Sequence, residues 1–370
     1  MSAYQIKPID RNYNQEMLQI LQSSPITTRD LTLYFDRQPS IFKMADIKYR
    51  PHHYHGLFLQ DQLKGFGMIG YHQAMVNRNQ EMVFHIKDFY VAPEARGNGF
   101  VYRVAENLFR ETYQQASIGY AIVMRGNKNS LHFVGRKNPA YPFFPHTRIV
   151  NQLDVRNMLL LLPLMKKPGF KIRPATSDDI PVMVSLLNAE HRMRLFGNCY
   201  EETGFQDYLK IRPGLNIQNY YLAFDKNGRC VGVCAAWDCS SIKQTRVMSY
   251  GKQFLPARLL YNSLATLFKK PLLPSASQFF KEFFVTDYAV AERNPAIMNS
   301  LLRFIYREYL DKGYQNMIWG SSLHDPLLQA SAGFFHQRLI SNIVLVATEV
   351  NLMEESAIEN HLPYIDLPFL

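Results

Sequence analysis

Cysteine is scarce in this 370-residue chain, at four residues. Cys199 stands apart, and Cys230, Cys234 and Cys239 follow along one apolar stretch, so no even, regular spacing suggests a disulfide framework. Neither a Cys-x-x-Cys nor a His-x-x-x-His pair is there to build a zinc set, and the thiols read as core residues, with no metal expected. The run His52-His53-Tyr54-His55 lacks carboxylate partners at ligand spacing and reads as a solvated loop. Long apolar runs are missing as well. The longest aliphatic run, Leu159 to Leu164, is interrupted by Pro163, far short of the ~20 residues of a membrane span, and reads as a buried strand. Residues 1–10 are polar and lack the apolar core of a signal peptide; together with the few thiols this leads us to expect a cytoplasmic protein. Acidic residues are outnumbered, 31 against 41 Lys and Arg, for a formal net charge of +10. No Lys/Arg block or basic-aromatic repeat accompanies that excess, which argues against nucleic acid and for polyanionic small molecules or an acidic partner.

The richest segment runs from Lys87 to Phe100. Met82 to Val91 has the apolar, aromatic and β-branched content of a buried strand, and Tyr102 to Gln114 shows helical spacing through Val104, Leu108 and Phe109. Arg96-Gly97-Asn98-Gly99 lies between them. Two glycines allow backbone N–H groups to turn inward, and the helix that follows aims its positive end at the same point, as an anion site requires.

This strand, turn and helix resemble the Gcn5-related N-acetyltransferase (GNAT) family, whose loop after its fourth strand reads Arg/Gln-x-x-Gly-x-Gly/Ala. Here the loop is Arg96-Gly97-Asn98-Gly99-Phe100-Val101, with Val101 where the family prefers Gly or Ala. The resemblance implies acetyl-CoA as co-substrate and a small-molecule or peptide amine as acceptor. It also implies cofactor contacts from Phe89, Tyr90, Val91, Arg96, Gly97, Asn98, Gly99, Phe100, Val101 and Asn127.

The pattern occurs twice. Tyr4-Gln5-Ile6-Lys7-Pro8 is echoed by Phe170-Lys171-Ile172-Arg173-Pro174, with Ile172 lying 166 residues after Ile6. Asp88-Phe89-Tyr90-Val91-Ala92 is echoed by Asp287-Tyr288-Ala289-Val290-Ala291, with Asp287 lying 199 residues after Asp88, so the second copy has gained 33 residues. The fold expected is α+β, an α/β three-layer sandwich of two tandem acyl-CoA N-acyltransferase-like domains, each a mixed, mostly antiparallel sheet flanked by helices. Its boundaries are residues 1–163 for the acetyl-CoA-binding domain, 164–169 for a linker, 170–350 for the second domain and 351–370 for a tail. The second copy reads Ala291-Glu292-Arg293-Asn294-Pro295-Ala296 where the phosphate loop would be, without glycine and with a carboxylate, so it is expected to keep the fold and lose the cofactor. Asn342 to Thr348 is expected to extend a sheet.

The usual proton-transfer groups are absent. Many relatives carry a Glu on the fourth strand directly before the Asp, where this chain has Lys87, and a Tyr seven residues after an Asn, where counting from Asn127 reaches Val134. His85, on the same strand face as Lys87, is the candidate catalytic base, its plain alternative being a hydrogen-bonded strand histidine. Tyr120, His132 and Tyr141 are candidate acids, Lys87 could hold an acidic substrate, and Asp88, kept in both copies, is expected to be structural. The gained segment, residues 251–281, carries an amphipathic helix expected to pack in the core or over the substrate cleft, with attachment to a membrane surface as the alternative. Two functions follow: an acetyl-CoA-dependent N-acyltransferase working through the N-terminal domain, or a non-catalytic acyl-CoA-binding or partner-binding pseudo-enzyme.

Overall fold

The computed structural model describes residues 4–28, 30–96, 99–112, 115–136, 139–164, 168–349 and 361–370. The first half contains β1 (Gln5–Ile9), α1 (Asn14–Gln22), β2 (Ile26–Thr27), β3 (Leu31–Asp36), α2 (Phe42–Lys48), β4 (His52–Leu59), β5 (Gln62–Val76) and β6 (Asn79–Val91). It continues through α3 (Phe100–Thr112), β7 (Ile118–Met124), α4 (Lys128–Leu131) and β8 (His146–Leu159). The second half has β9 (Lys171–Pro174), α5 (Ile180–His191), α6 (Phe205–Lys210), β10 (Tyr220–Phe224), β11 (Cys230–Trp237) and β12 (Gln244–Tyr250). After these come α7 (Leu255–Leu267), β13 (Glu282–Val290), α8 (Pro295–Tyr309), β14 (Asn316–Ser322) and β15 (His336–Ala347).

Twelve strands form one sheet in the order β1-β4-β5-β6-β7-β15-β8-β14-β13-β11-β10-β9. Alternation along each strand sorts its side chains to two faces. On one face, α3 packs through Val104, Leu108 and Phe109 against Ile69, Tyr71 and Val344, and α8 packs through Ile297, Leu301 and Ile305 against Val231, Phe283 and Trp319. On the other face, α1 and α2 cover Phe58, Phe66 and Met68, while α5 brings Met183, Val184 and Leu187 into a core shared with Tyr120, Leu153, Val233 and Phe369. The three layers expected from the sequence are therefore present.

The middle of the sheet departs from a simple tandem. β15, which comes from the second half, pairs with β7 from Ala347–Ile118 to Ser341–Met124 and on its other edge with β8 from His336–Met158 to Ala347–His146. β8, from the first half, pairs in turn with β14. Each half thus places its last long strand beside the other half. A small sheet repeats the exchange, because β3 of the first half pairs with β12 of the second. The apolar run at Leu159 is not a strand as expected: β8 stops at Leu159, Leu160 and Leu161 are buried, and Leu162 is exposed. Pro163 removes the N–H that a continuing ladder would need.

Residues 361–370 also depart from the expected tail. Pro363 to Phe369 are buried, and the segment enters the shared core through Ile365, Leu367 and Phe369. Residues 351–360 lie outside the described residues.

The strand exchange generates a prediction. A fragment 1–163 lacks β15, which pairs with β7 along its whole length, and a fragment 164–370 lacks the strand between β15 and β14. Neither fragment alone should show a cooperative thermal transition by circular dichroism, whereas mixing them should restore one. A cooperative melt of fragment 1–163 by itself would contradict this reading.

Candidate functional site

Strands β6 and β7 run parallel but pair only from Phe84–Gly119 to Ile86–Ala121, after which β6 continues to Val91 and β7 to Met124 without each other. The two strands therefore open as a wedge. The cause lies on the other edge of β6, where pairing with β5 jumps from Met68–Lys87 to Phe66–Tyr90, so Asp88 and Phe89 both stand against Gly67. Such a bulge twists the strand locally, and Asp88 takes a left-handed φ of 58° within it. Gly67 is required here, since a Cβ would lie 2.9 Å from both Phe89 and Val104, the residue with which α3 packs down on this strand.

At the mouth of the wedge, the strand leads through Pro93–Ala95 to Arg96, whose Nε donates to the Val91 carbonyl at 3.3 Å. Gly97 and Asn98 lie outside the described residues. Gly99 precedes α3 with φ of 66°, a conformation that disfavours any side chain, and it has none with which to cap the helix. Phe100 is buried against Phe89, Val101 is half-buried, and Tyr90 packs at 5.5 Å from Phe66. Asn127 caps α4, its side chain accepting from the Ser130 N–H at 3.1 Å. Phe89, Val91 and Phe100 thus share one cluster with α3, which Gly99 precedes, and a helix N-terminus headed by glycine is chemistry that suits a phosphate.

Asp88 is held by Arg37, which donates two bonds of 2.6 and 2.9 Å, and both side chains are almost wholly buried. Burial opposes charging of either group, yet the mutual attraction outweighs it, keeping the Asp88 carboxyl below its usual range and the Arg37 guanidinium above its own. This agrees with the structural role expected for Asp88. Arg37 itself follows β3 in a loop without periodicity, so sequence patterning did not single it out.

His85 and Lys87 share the face opposite α3. His85 is buried, its Nδ1 lies 2.6 Å from the Tyr49 hydroxyl, and its ring stacks on Tyr120 at 4.3 Å. Burial, then the cations Lys87 and Lys48, push its pKa well below the ordinary value, so the imidazole is neutral at pH 7. Burial pushes the Tyr120 hydroxyl well above its usual range, and the ring also packs on Phe196 at 4.6 Å. His132 is exposed and contacts Arg136 at 3.0 Å, and Tyr141 stacks on Tyr102 at 5.2 Å. Val134 is half-buried against the α3 face. The three candidate acids are thus not gathered around one point.

Lys87 carries a second surprise. Its ammonium donates to the Phe369 carbonyl, while Lys243 donates to the Pro368 carbonyl at 3.2 Å and to the carbonyl of Leu370. Lys48 approaches Asp366 to 3.9 Å, and Asp366 accepts from Thr286 at 2.7 Å. Residues 366–370 therefore cross the site between the halves, held by three buried lysines. Burial, foremost, depresses all three ammonium groups, and Lys243 falls to about 8. Beside Lys243, burial raises the Glu282 carboxyl to about 7 despite a bond from Thr245. Apart from the apolar character of Pro363 to Leu370, nothing local in the sequence points to this arrangement.

The second half shows the same wedge. β13 and β14 pair in parallel only from Glu282–Asn316 to Phe284–Ile318, and Asp287 sits in a bulge opposite Cys234 with φ of 45°. Its carboxylate accepts from Tyr200, Tyr208 and Tyr220 instead of an arginine. The helix mouth differs. Asn294 caps α8 by accepting from the Ala296 N–H at 2.9 Å, and Arg293 is ion-paired to buried Asp325 at 2.6 Å, which also binds Arg194 at 2.7 Å. The Ala296 N–H in the first turn of α8 is thus satisfied by a side chain of the same chain. Cys234 and Cys239 are buried, and Cys199 and Cys230 are partly so.

Lys243 gives a pH-dependent expectation. Its folded-state pKa of about 8 lies below the ordinary 10.5, so its contribution to stability is present above the unfolded value and lost as pH falls through about 8. The difference in urea midpoint between the parent and Lys243→Met should shift in the parent's favour as pH rises from about 7 to about 9.5. A difference independent of pH would show that Lys243 is charged throughout. Arg37, Asp88, Cys239 and Glu282 are the neighbouring charges common to both proteins.

Comparison with known proteins agrees with this geometry. Residues 14–137 match the Acetyltransferase (GNAT) family. The fold resembles a probable N-acyltransferase from Enterococcus faecalis at 11% identity, over 94% of this chain and 73% of that one, with a TM-score of 0.52. A GCN5-related N-acetyltransferase from Anabaena variabilis gives 11% identity, 94% and 74% coverage and a TM-score of 0.53. Saccharomyces cerevisiae N-myristoyltransferase with bound myristoyl-CoA gives 11% identity, 94% and 78% coverage and a TM-score of 0.60. No curated protein matches the chain by sequence. Segment 14–137, which holds the bulged strand, the wedge and Gly99 at the head of α3, is thus the part that matches the Acetyltransferase (GNAT) family, and the whole chain has the acyl-CoA N-acyltransferase fold.

Proposed function

We propose that this protein transfers an acetyl group from acetyl-CoA to a primary amine on a small molecule or peptide, using the wedge between β6 and β7, and that its second half is a degenerate copy that no longer binds the cofactor. The observation that carries this reading is the contrast between the two helix mouths. Gly99, at a left-handed φ of 66°, has no side chain with which to cap α3, whereas Asn294 caps α8 and the Arg293–Asp325 pair lies beside it. Arg96, Gly99 and Phe100 would hold the pyrophosphate end, together with Gly97 and Asn98 between them, and the strand edge from Phe89 to Val91 would hold the pantetheine arm.

The preference for a short acyl group rests on what closes the wedge. At the middle of the three paired positions His85 stacks on Tyr120, and Tyr120 packs on Phe196, so aromatic rings fill the closed end of the wedge on that face. The amine attacks the thioester carbonyl, the C–S bond breaks, and the thiolate leaves with a proton that the amine supplies in the end. Holding both groups in one wedge gives much of the rate. His85 is the proposed proton acceptor, and its lowered pKa means that it holds the proton only briefly before passing it on.

Titration calorimetry should show one acetyl-CoA site per chain, and Gly99→Glu should abolish it, since a charged side chain at φ of 66° would be both strained and repelled by phosphate. Two equivalent sites would show that the second half also binds. Myristoyl-CoA should compete weakly with acetyl-CoA in the same experiment, and equal affinity would overturn the short-chain preference. His85→Ala should lower kcat on the order of 10²-fold with acetyl-CoA affinity retained. An unchanged pH–rate profile in that variant would remove the base assignment and leave the reaction class intact.

A further inference from the structure

The gained segment packs in a small core of its own and away from the wedge. The buried residues of α7, Tyr261 and Ala265, lie against Leu161, Val247, Leu273 and Phe280, none of which belongs to β6 or β7. Leu264 packs half-buried against the same cluster, and most of the helix's other apolar side chains face solvent. Leu259, Leu260 and Leu267 are 69%, 64% and 71% exposed, and Leu255, Phe268 and Leu272 are exposed beside them. Six large exposed apolar side chains lie within 18 residues along one helix and its exit, with exposed Ser263 and Thr266 among them, on a surface where polar groups are the rule.

The charges around this row have one sign. Residues 251–281 contain Lys252, Arg258, Lys269, Lys270 and Lys281 and no Asp or Glu. Lys252 precedes the row and Lys269 follows it, both exposed. Arg258 lies over the Tyr250 ring at 4.3 Å, turned away from the leucine row, and Lys270 pairs with Asp311, the acidic group nearest the row's end among the described ion pairs. A helix whose outer face is rich in leucine and whose two ends carry lysine matches a surface that is apolar beneath and anionic above.

We propose that α7 seats this protein on an anionic phospholipid bilayer, with Leu259, Leu260 and Leu267 entering the boundary between headgroups and acyl chains and Lys252 and Lys269 reaching lipid phosphates. The helix lies in the plane of the interface and does not cross it; no helix among the described residues is long and apolar enough to span a membrane. Because α7 is remote from Gly99 in the fold's cores, seating leaves the acyl-CoA wedge unchanged. The attraction draws on the overall charge of +10 as well as on the two lysines.

Co-sedimentation of the full chain with vesicles tests this. Vesicles of phosphatidylcholine with about one-third phosphatidylserine should pull down the protein at low salt, and pure phosphatidylcholine vesicles should bind at least about tenfold less. The triple variant Leu259→Gln, Leu260→Gln, Leu267→Gln should lose binding by on the order of 10-fold or more, because those side chains are solvent-facing and their change leaves the core intact. Lys252→Gln with Lys269→Gln should weaken binding and reduce its salt dependence. Circular dichroism and calorimetry with acetyl-CoA check that each variant is folded. No binding to the anionic vesicles, or equal binding by the leucine variant, overturns the proposal. So does a dimer seen by sedimentation that the leucine variant abolishes while vesicle binding is absent, which would assign the row to a second copy of this chain.

Discussion

The antiparallel pairing of β8 with β15 is the constraint on which the rest of the molecule depends. β8 belongs to the first half and β15 to the second, and each separates the other from its own neighbours in the sheet. β7, one wall of the wedge, is held along its full length by β15, from Ile118 to Met124. The wall is rigid because its hydrogen-bonding edge is satisfied by a strand that enters the chain more than two hundred residues later. The other wall, β6, is fixed by β5 up to the bulge and then released to diverge. The opening is thus a consequence of satisfied backbone on the outer edges and unsatisfied pairing on the inner ones.

Within this frame two aspartates perform the same backbone task with different partners. Asp88 and Asp287 both occupy left-handed φ in bulges opposite Gly67 and Cys234. A buried carboxylate needs compensation. Asp88 obtains it from the charged fork of Arg37, and Asp287 from three phenol hydroxyls. The first solution ties the loop after β3 to the wedge, and β3 in turn to β12 of the second half. The second gathers α6 and β10 around β13. The helix heads differ as well, glycine standing before α3 and a capping asparagine before α8.

Between the wedges lies residues 366–370, gripped by lysines that burial makes reluctant to stay charged. Three ammonium groups this close, with Asp88 and Asp366 among them, make a site whose charge depends on pH and whose geometry depends on both halves being assembled. His85 stands at its edge, neutral and bonded to Tyr49, in a setting that the strand pattern around it does not reveal.

Local chemistry was legible in the sequence. The strand ending at Val91 and the helix after Gly99 follow from periodicity and glycine placement, and the echo of Asp88 in Asp287 pointed to a shared backbone role. These features act over a few residues, so neighbouring side chains encode them. The exchange of β8 and β15, the pairing of Arg37 with Asp88, and the burial of Pro363 to Phe369 were decided only in the tertiary structure. Each depends on partners far apart in the chain, and an isolated arginine or a short apolar segment looks the same whether it ends in solvent or in a core. The row of leucines on α7 is the same lesson in reverse. Its amphipathic pattern was plain, but which face of the helix meets the protein was settled by Tyr261 and Ala265 packing against Val247 and Leu273, and that contact turned the leucines outward.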